Sequence, residues 1–301
     1  MNPRHFWAVA VRSLSVVALA IGLVGAAEAG AQDLQATTEI SPNVVLFATS
    51  TGNVVASVGP DGALLVGTPS AASTAGISAA LSSRTKANTR YVVIYPEDLA
   101  HSQGDAGWVR RGAFVAMQEK ALDRLGGHAM GPERALPPRL LELGVDRPRV
   151  AFSEVLTFDL NGEAIHIVHQ PPGYSNADAV THFHLANLIY LGEVFPGDGY
   201  PDIDSAQGGN LDGLLKQLIW IGPTIHIVPA RGKVASGADV KAFKDMITTV
   251  RDRVQQMAAA GRTEEQVVAA HPTAEFDARW GHGRVSSDAF VQEIYKDLKG
   301  R

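Results

Sequence analysis

The sequence predicts an α/β fold in which two β-sheets pack face to face with helices outside. Two observations carry that reading. Short apolar strands come first, helical patterns follow, and the order repeats in the second half of the chain. Turn signals stand where hairpins need them, at Gly59-Pro-Asp-Gly62 and at Asn161-Gly162.

The N-terminal segment reads as an address rather than as part of this fold. Arg4 and Arg12 supply positive charge, and Leu14 to Val24 is a short apolar run. Small residues from Ala26 onward offer cleavage sites after Ala29 or Ala31. That order predicts a secretory signal peptide over 1–31 and a folded domain over 32–301, with a periplasmic or secreted location. An uncleaved N-terminal anchor is the alternative. The run is short for a membrane span, and no later stretch is a better one. About 270 residues remain after the leader, enough for one large α/β domain or two small ones.

Composition removes several function classes. With no cysteine in the chain, disulfides and thiolate metal sites are excluded. The formal net charge is −5, with no basic cluster, which argues against nucleic acid as a partner.

The elements follow in order. Asn43–Thr49, Asn53–Val58 and Ala63–Val66 are apolar strands separated by turns at Thr51-Gly-Asn and Gly59-Pro-Asp-Gly62. A helix is expected over Ala72–Ser83 and a buried strand over Tyr91–Tyr95. Trp108–Leu125 shows helical spacing, with Phe114, Met117, Ala121 and Leu125 on one face. Gly126–Arg149 is rich in Pro, Gly and Arg and reads as an irregular loop with a helical turn near Leu140. Glu154–Asp159 and Ala164–His169 form a hairpin, and Val180–Phe183 and Leu188–Leu191 are further strands. A helix over Leu211–Ile221, a strand over Thr224–Val228 and a long amphipathic helix over Ala238–Ala259 come next. Thr263 and Ser287 are expected N-caps of the last two helices, with Asp288 placed to suit the helix dipole.

An ordered series of segments resembles the metallo-β-lactamase-fold hydrolases, an exported branch in particular. Asn43-Val-Val-Leu and Asn53 to Val66 look like the opening β-meander, although the usual Asp at its end is Gly67 here. Phe158-Asp-Leu-Asn-Gly-Glu is similar to the mid-chain hairpin. Tyr190-Leu-Gly-Glu-Val-Phe resembles the strand end His-Met-Gly-Asp-Leu-Phe. Tyr200-Pro-Asp-Ile-Asp, Gly208 to Gly213 and Pro272 to Gly281 resemble stretches of the exported branch. The resemblance implies a four-layer αβ/βα sandwich.

It also implies a binuclear metal site, which this chain lacks in that form. The family's His-x-His-x-Asp-His turn falls on Glu97, Leu99, His101 and Ser102. The His of its Gly-x-His-Thr loop falls on Tyr174, the bridging Asp on Glu193, and the last His on Arg231. Glu97, His101 and Glu193 keep ligand chemistry, whereas Leu99 has none and Arg231 brings a fixed positive charge. The simplest expectation is an ion pair, Arg231 with Glu193 or Glu97, where the metals would be. No cofactor is then expected. The resemblance supports a pseudoenzyme that binds a small molecule in the old pocket or pairs with an active paralogue of the same fold. The alternative is a hydrolase of an ester, lactone or amide with a rebuilt site, either metal-free or holding one zinc or other divalent metal on Glu97, His101 and Glu193. A purely structural role in the cell envelope is a third reading.

The remaining histidines read mainly as surface or core residues. His166 and His169 point to opposite faces of a strand, and His182 and His184 share a face if their strand continues. A nucleophile built on neighbouring His101 and Ser102 lacks the orienting acid such chemistry requires.

Overall fold

The computed structural model describes residues 33–67, 70–95, 105–125, 149–218, 221–222 and 224–299. The expected leader over 1–31, the segment carrying Glu97, Leu99, His101 and Ser102, and all but Arg149 of the expected loop over Gly126–Arg149 lie outside these residues; Arg149 opens a strand.

Among the described residues there are two sheets. The first has seven strands in sequence order: β1 (Leu34–Ser41), β2 (Val44–Thr49), β3 (Asn53–Gly59), β4 (Gly62–Val66), β5 (Thr89–Val93), β6 (Phe114–Gln118) and β7 (Arg149–Phe152). The first four strands run antiparallel and the later ones are added in parallel. The second sheet has β8 (Val155–Leu160), β9 (Glu163–His169), β10 (Ala179–Phe183), β11 (Leu188–Gly192), β12 (His226–Pro229) and β13 (Ala235–Ser236). Pairing runs from β8 to β13 in order, with β11 and β12 parallel.

Side-chain alternation divides the core into three layers. Val44, Leu46, Leu64 and Val66 point toward Ile165, Ile167, Phe183 and Leu188, which joins the two sheets face to face. The opposite face of the first sheet, with Val45, Phe47 and Leu65, packs on α1 (Ser73–Ser82), α2 (Asp105–Arg110) and α3 (Glu119–Arg124). On the second sheet, Val180, Ile189 and Ile227 pack against α4 (Leu211–Gln217), α5 (Gly237–Ala259), α6 (Glu264–Val268), α7 (Asp277–Trp280) and α8 (Ser287–Lys299). The four layers are helix, sheet, sheet and helix, as expected. No helix among the described residues is long and apolar enough to cross a membrane.

Several expectations need correction. Trp108–Leu125 is not one helix: α2 ends at Arg110, β6 follows, and α3 begins at Glu119. Gly112, at φ +99°, ends the helical path, and the apolar run after it pairs in parallel with β5. Phe114, expected on the buried face, is 40% exposed. A short apolar run fits either period, and here the neighbouring strand decided. The helix from Leu211 stops at Gln217, with Leu218 as its C-cap. Thr263 caps α6 with a capping box, as expected, and α5 carries another built from Ser236 and Asp239. At α8 it is Ser286 whose hydroxyl accepts the Ala289 N–H, at 3.2 Å, while the Ser287 hydroxyl donates to Asp277 Oδ1 at 2.7 Å.

Candidate functional site

The site lies where strands of the second sheet end. Glu193 follows β11 directly, and Arg231 follows β12 by one residue. Because β11 and β12 are parallel neighbours, both side chains emerge at the same edge. Arg231 Nη1 donates to Glu193 Oε1 at 2.6 Å. The Glu193 side chain is 4% exposed and that of Arg231 33%. A second guanidinium, Arg284 Nη2, stands 3.5 Å from the same Glu193 oxygen and 3.0 Å from Asp202 Oδ2.

The backbone around this pair is held from both sheets. Asn53, at the start of β3, donates from Nδ2 to the carbonyls of Pro229 and Gly232, both at 3.0 Å. Its own N–H donates to Ala230 O at 2.8 Å. The Arg231 turn is thus clamped to the first sheet. Gly197, at φ +98°, allows the next loop to close in, since a Cβ there would lie 2.5 Å from Arg231 O.

Tyr174 sits in a loop pinned by a carboxylate. Buried Asp178 accepts from the N–H groups of Gly173, Tyr174 and Ser175 at 3.0, 2.7 and 2.7 Å, and from Gln217 Nε2 at 2.8 Å. Burial pushes the Asp178 carboxyl above its ordinary value, against the hydrogen bonds from Gln217, Ser175 and Gly173. The Gly209 backbone lies directly on this loop, where a Cβ would come 2.0 Å from Tyr174 O.

Beside the ion pair lies a cavity of about 340 Å³, lined by Glu193, Arg231, Arg284, Asp202, Tyr200 and His282 among others. Tyr200 donates to Asp277 Oδ1 at 2.6 Å and stacks on Phe290 at 5.0 Å. Burial and the neighbouring Asp277 raise the Tyr200 phenol, so it stays protonated. The Tyr200 segment and the tail from Pro272 therefore meet at the cavity wall.

Of the sequence-derived positions, Glu193 and Arg231 come together at the cavity, and Tyr174 is not part of its lining. Glu97, Leu99, His101 and Ser102 lie outside the described residues. Sequence reasoning missed Arg284, Asp202, Asn53 and Asp178. Arg284 and Asp202 are single residues far apart in the chain, and no local spacing marks them. Asp178 accepts from N–H groups that precede it in the chain, a contact for which no local turn pattern was a signal.

No protein-family model matches this sequence, and no curated protein does either. Solved structures do match. A double mutant of the sec-alkylsulfatase PisA1 superposes with TM-score 0.65 and 13% identity, over 88% of this chain and 50% of that one. The stereoselective inverting sec-alkylsulfatase Pisa1 from Pseudomonas sp. gives 0.60 and 13%, over 86% and 49%. A metallo-β-lactamase from Pontibacter korlensis gives 0.51 and 15%, over 71% of this chain and 98% of that one.

The chain has the metallo-β-lactamase fold. It spans about half the length of the alkylsulfatase chains it matches. At these identities the likeness speaks for the fold alone.

The binuclear metal centre implied by the metallo-β-lactamase fold does not fit the described residues. Glu193, at the bridging position, already holds one guanidinium and has a second close by. A dication there would meet two fixed positive charges. Gly67 replaces the usual Asp, and its φ of +86° leaves no room for one. A Cβ would lie 2.7 Å from Asn53 O and 2.8 Å from the Tyr190 hydroxyl. Beneath the site, Tyr190 packs 5.4 Å from Tyr95, whose hydroxyl bonds to Thr181. Tyr95 is therefore a core residue rather than a cavity wall. Among the described residues no group of three or more His, Asp or Glu side chains is arranged to hold a metal. His166, His182 and His184 do cluster on β9 and β10. His166 Nδ1 lies 2.9 Å from His184 Nε2, and the His182 and His184 rings are 4.0 Å apart.

Proposed function

We propose that this chain is an exported pseudoenzyme on a hydrolase fold, which binds a small molecule without binuclear metal catalysis. The Glu193–Arg231 pair carries the reading. It supplies at the strand ends the charge balance that a metal would otherwise provide, and it lines a cavity of about 340 Å³. That volume suits a small ligand. Arg231 uses Nη1 on Glu193, so its other guanidinium N–H groups are available to an anionic group. Arg284 adds positive charge at the same wall, and Asp198 and Asp202 offer acceptors to a polar tail. The leader-like N-terminus supports export.

Binding would be tested by thermal melting in the presence of a chelator. The probes are sec-alkyl sulfates and β-lactams, after the names of the structural neighbours, with esters, lactones and the carboxylates that their hydrolysis releases. The expected result is a rise in melting temperature with at least one probe, no turnover, and loss of the rise in Arg231→Ala. Turnover that requires added zinc and disappears in Glu193→Ala would overturn the proposal in favour of a rebuilt hydrolase.

A further inference from the structure

A second cavity, of about 320 Å³, opens in the helical layer over the seven-stranded sheet. It lies between the end of α1, the connection from α1 to β5, and the end of α2, and it shares no lining residue with the first. Trp108 on α2 lines it. The indole is 2% exposed and belongs to the core, yet its Nε1–H has no hydrogen-bond partner among the described residues. A buried donor left unpaired is costly, so a native fold that keeps one invites an acceptor.

The surrounding chemistry says what kind of acceptor. No carboxylate lines the cavity, whereas Lys86 and Arg111 do. Neither makes an ion pair with any described residue. Arg111 lies over the Trp108 ring at 5.4 Å and donates to Ser78 Oγ at 3.1 Å, which leaves the Ser78 hydroxyl proton free for a ligand. The Ser82 and Thr85 hydroxyls are spent on the carbonyls of Ser78 and Gly59, at 2.8 and 2.9 Å, so they do not compete for it. The lining thus offers two cations, the Ser78 and Thr89 hydroxyls, the Asn88 amide and one buried N–H, a set rich in donors and without a carboxylate. Leu81, Ala87 and the indole ring supply an apolar wall.

We propose that this cavity binds a small organic anion, with its carboxylate, sulfate or phosphate group on Arg111, Lys86 and the Trp108 N–H and its apolar body against Leu81 and the indole. Arg111 is exposed and covers the ring. From there its long side chain can turn its charge toward the anion.

The test is an NMR titration of the purified protein with ¹⁵N-labelled tryptophan, using benzoate, phenyl sulfate and phenyl phosphate, with Trp108→Phe to assign the indole signal. The expected result is a saturable shift of the Trp108 indole signal while the other indoles stay in place. Arg111→Gln, a change to an exposed residue, should weaken binding about tenfold, since a charge-assisted hydrogen bond is lost. The anion that acts at the lowest concentration identifies the headgroup. No shift with any of the three, or an equal drift of every indole with ionic strength, would overturn the proposal.

Discussion

Glu193 is a carboxylate with almost no access to water, and its charge is balanced by Arg231 at 2.6 Å and Arg284 at 3.5 Å. Removing one partner of such a pair leaves the other buried and poorly compensated. Arg231→Met keeps the apolar stem and removes the charge. It should lower unfolding stability by about 2 kcal/mol, less than for a fully buried pair because Arg231 is partly exposed and Arg284 remains. Glu193→Gln should cost about 1 kcal/mol, since Arg231 can turn to water. The double variant should recover at least about 1 kcal/mol of the summed losses, as measured by urea unfolding of all four proteins. Strict additivity would contradict the pairing. This pair was legible in the sequence, because two charges of opposite sign stood at positions that the family fills with an Asp and a His. Arg284 was not legible. It reaches Glu193 from a tail whose path depends on Tyr200 meeting Asp277 and Phe290, and local spacing does not encode that contact.

Strands were the most readable elements, since β2, β3, β4, β9 and β11 are apolar runs bounded by clear turns. Four strands escaped notice, β1, β6, β7 and β13, and the first two have clear physical reasons. β1 is an edge strand of mostly exposed Gln, Thr and Glu, with register shifts in its pairing, so it has no apolar signature. β6 mimics a helix because Phe114, Met117 and Ala121 happen to fall at helical spacing across a real strand–helix boundary. Pairing of β9 with β10 also places His166 opposite His182, with His184 just beyond the strand end. Burial, then the neighbouring His184 and His166, hold His182 below its ordinary value of 6.5. In the window below that value the unfolded chain binds the proton more readily, so stability falls as pH drops through it. Urea midpoints measured from about pH 7.5 down to about pH 5 should therefore decline, with a shallower decline in His182→Gln. An unchanged slope in that variant would show that these rings do not set the pH response.

At the scale of the molecule, the four layers bring strand ends from both sheets to one edge, and the residues there decide the chemistry. Asn53 ties the Arg231 turn to the first sheet, Asp178 locks the Tyr174 loop, and Gly67 yields its space to the Tyr190 hydroxyl. The fold was legible because order, turns and apolar runs all agreed. The use of the site was less so, because its fate depends on contacts between distant segments. The most direct test is the metal content of the untagged protein by elemental mass spectrometry, after incubation with excess zinc and gel filtration. An ion pair in place of the metals means well below about 0.1 zinc per chain, rising if at all only when Arg231 is replaced. One or more zinc, iron or manganese per chain, retained with Arg231 intact, would contradict it.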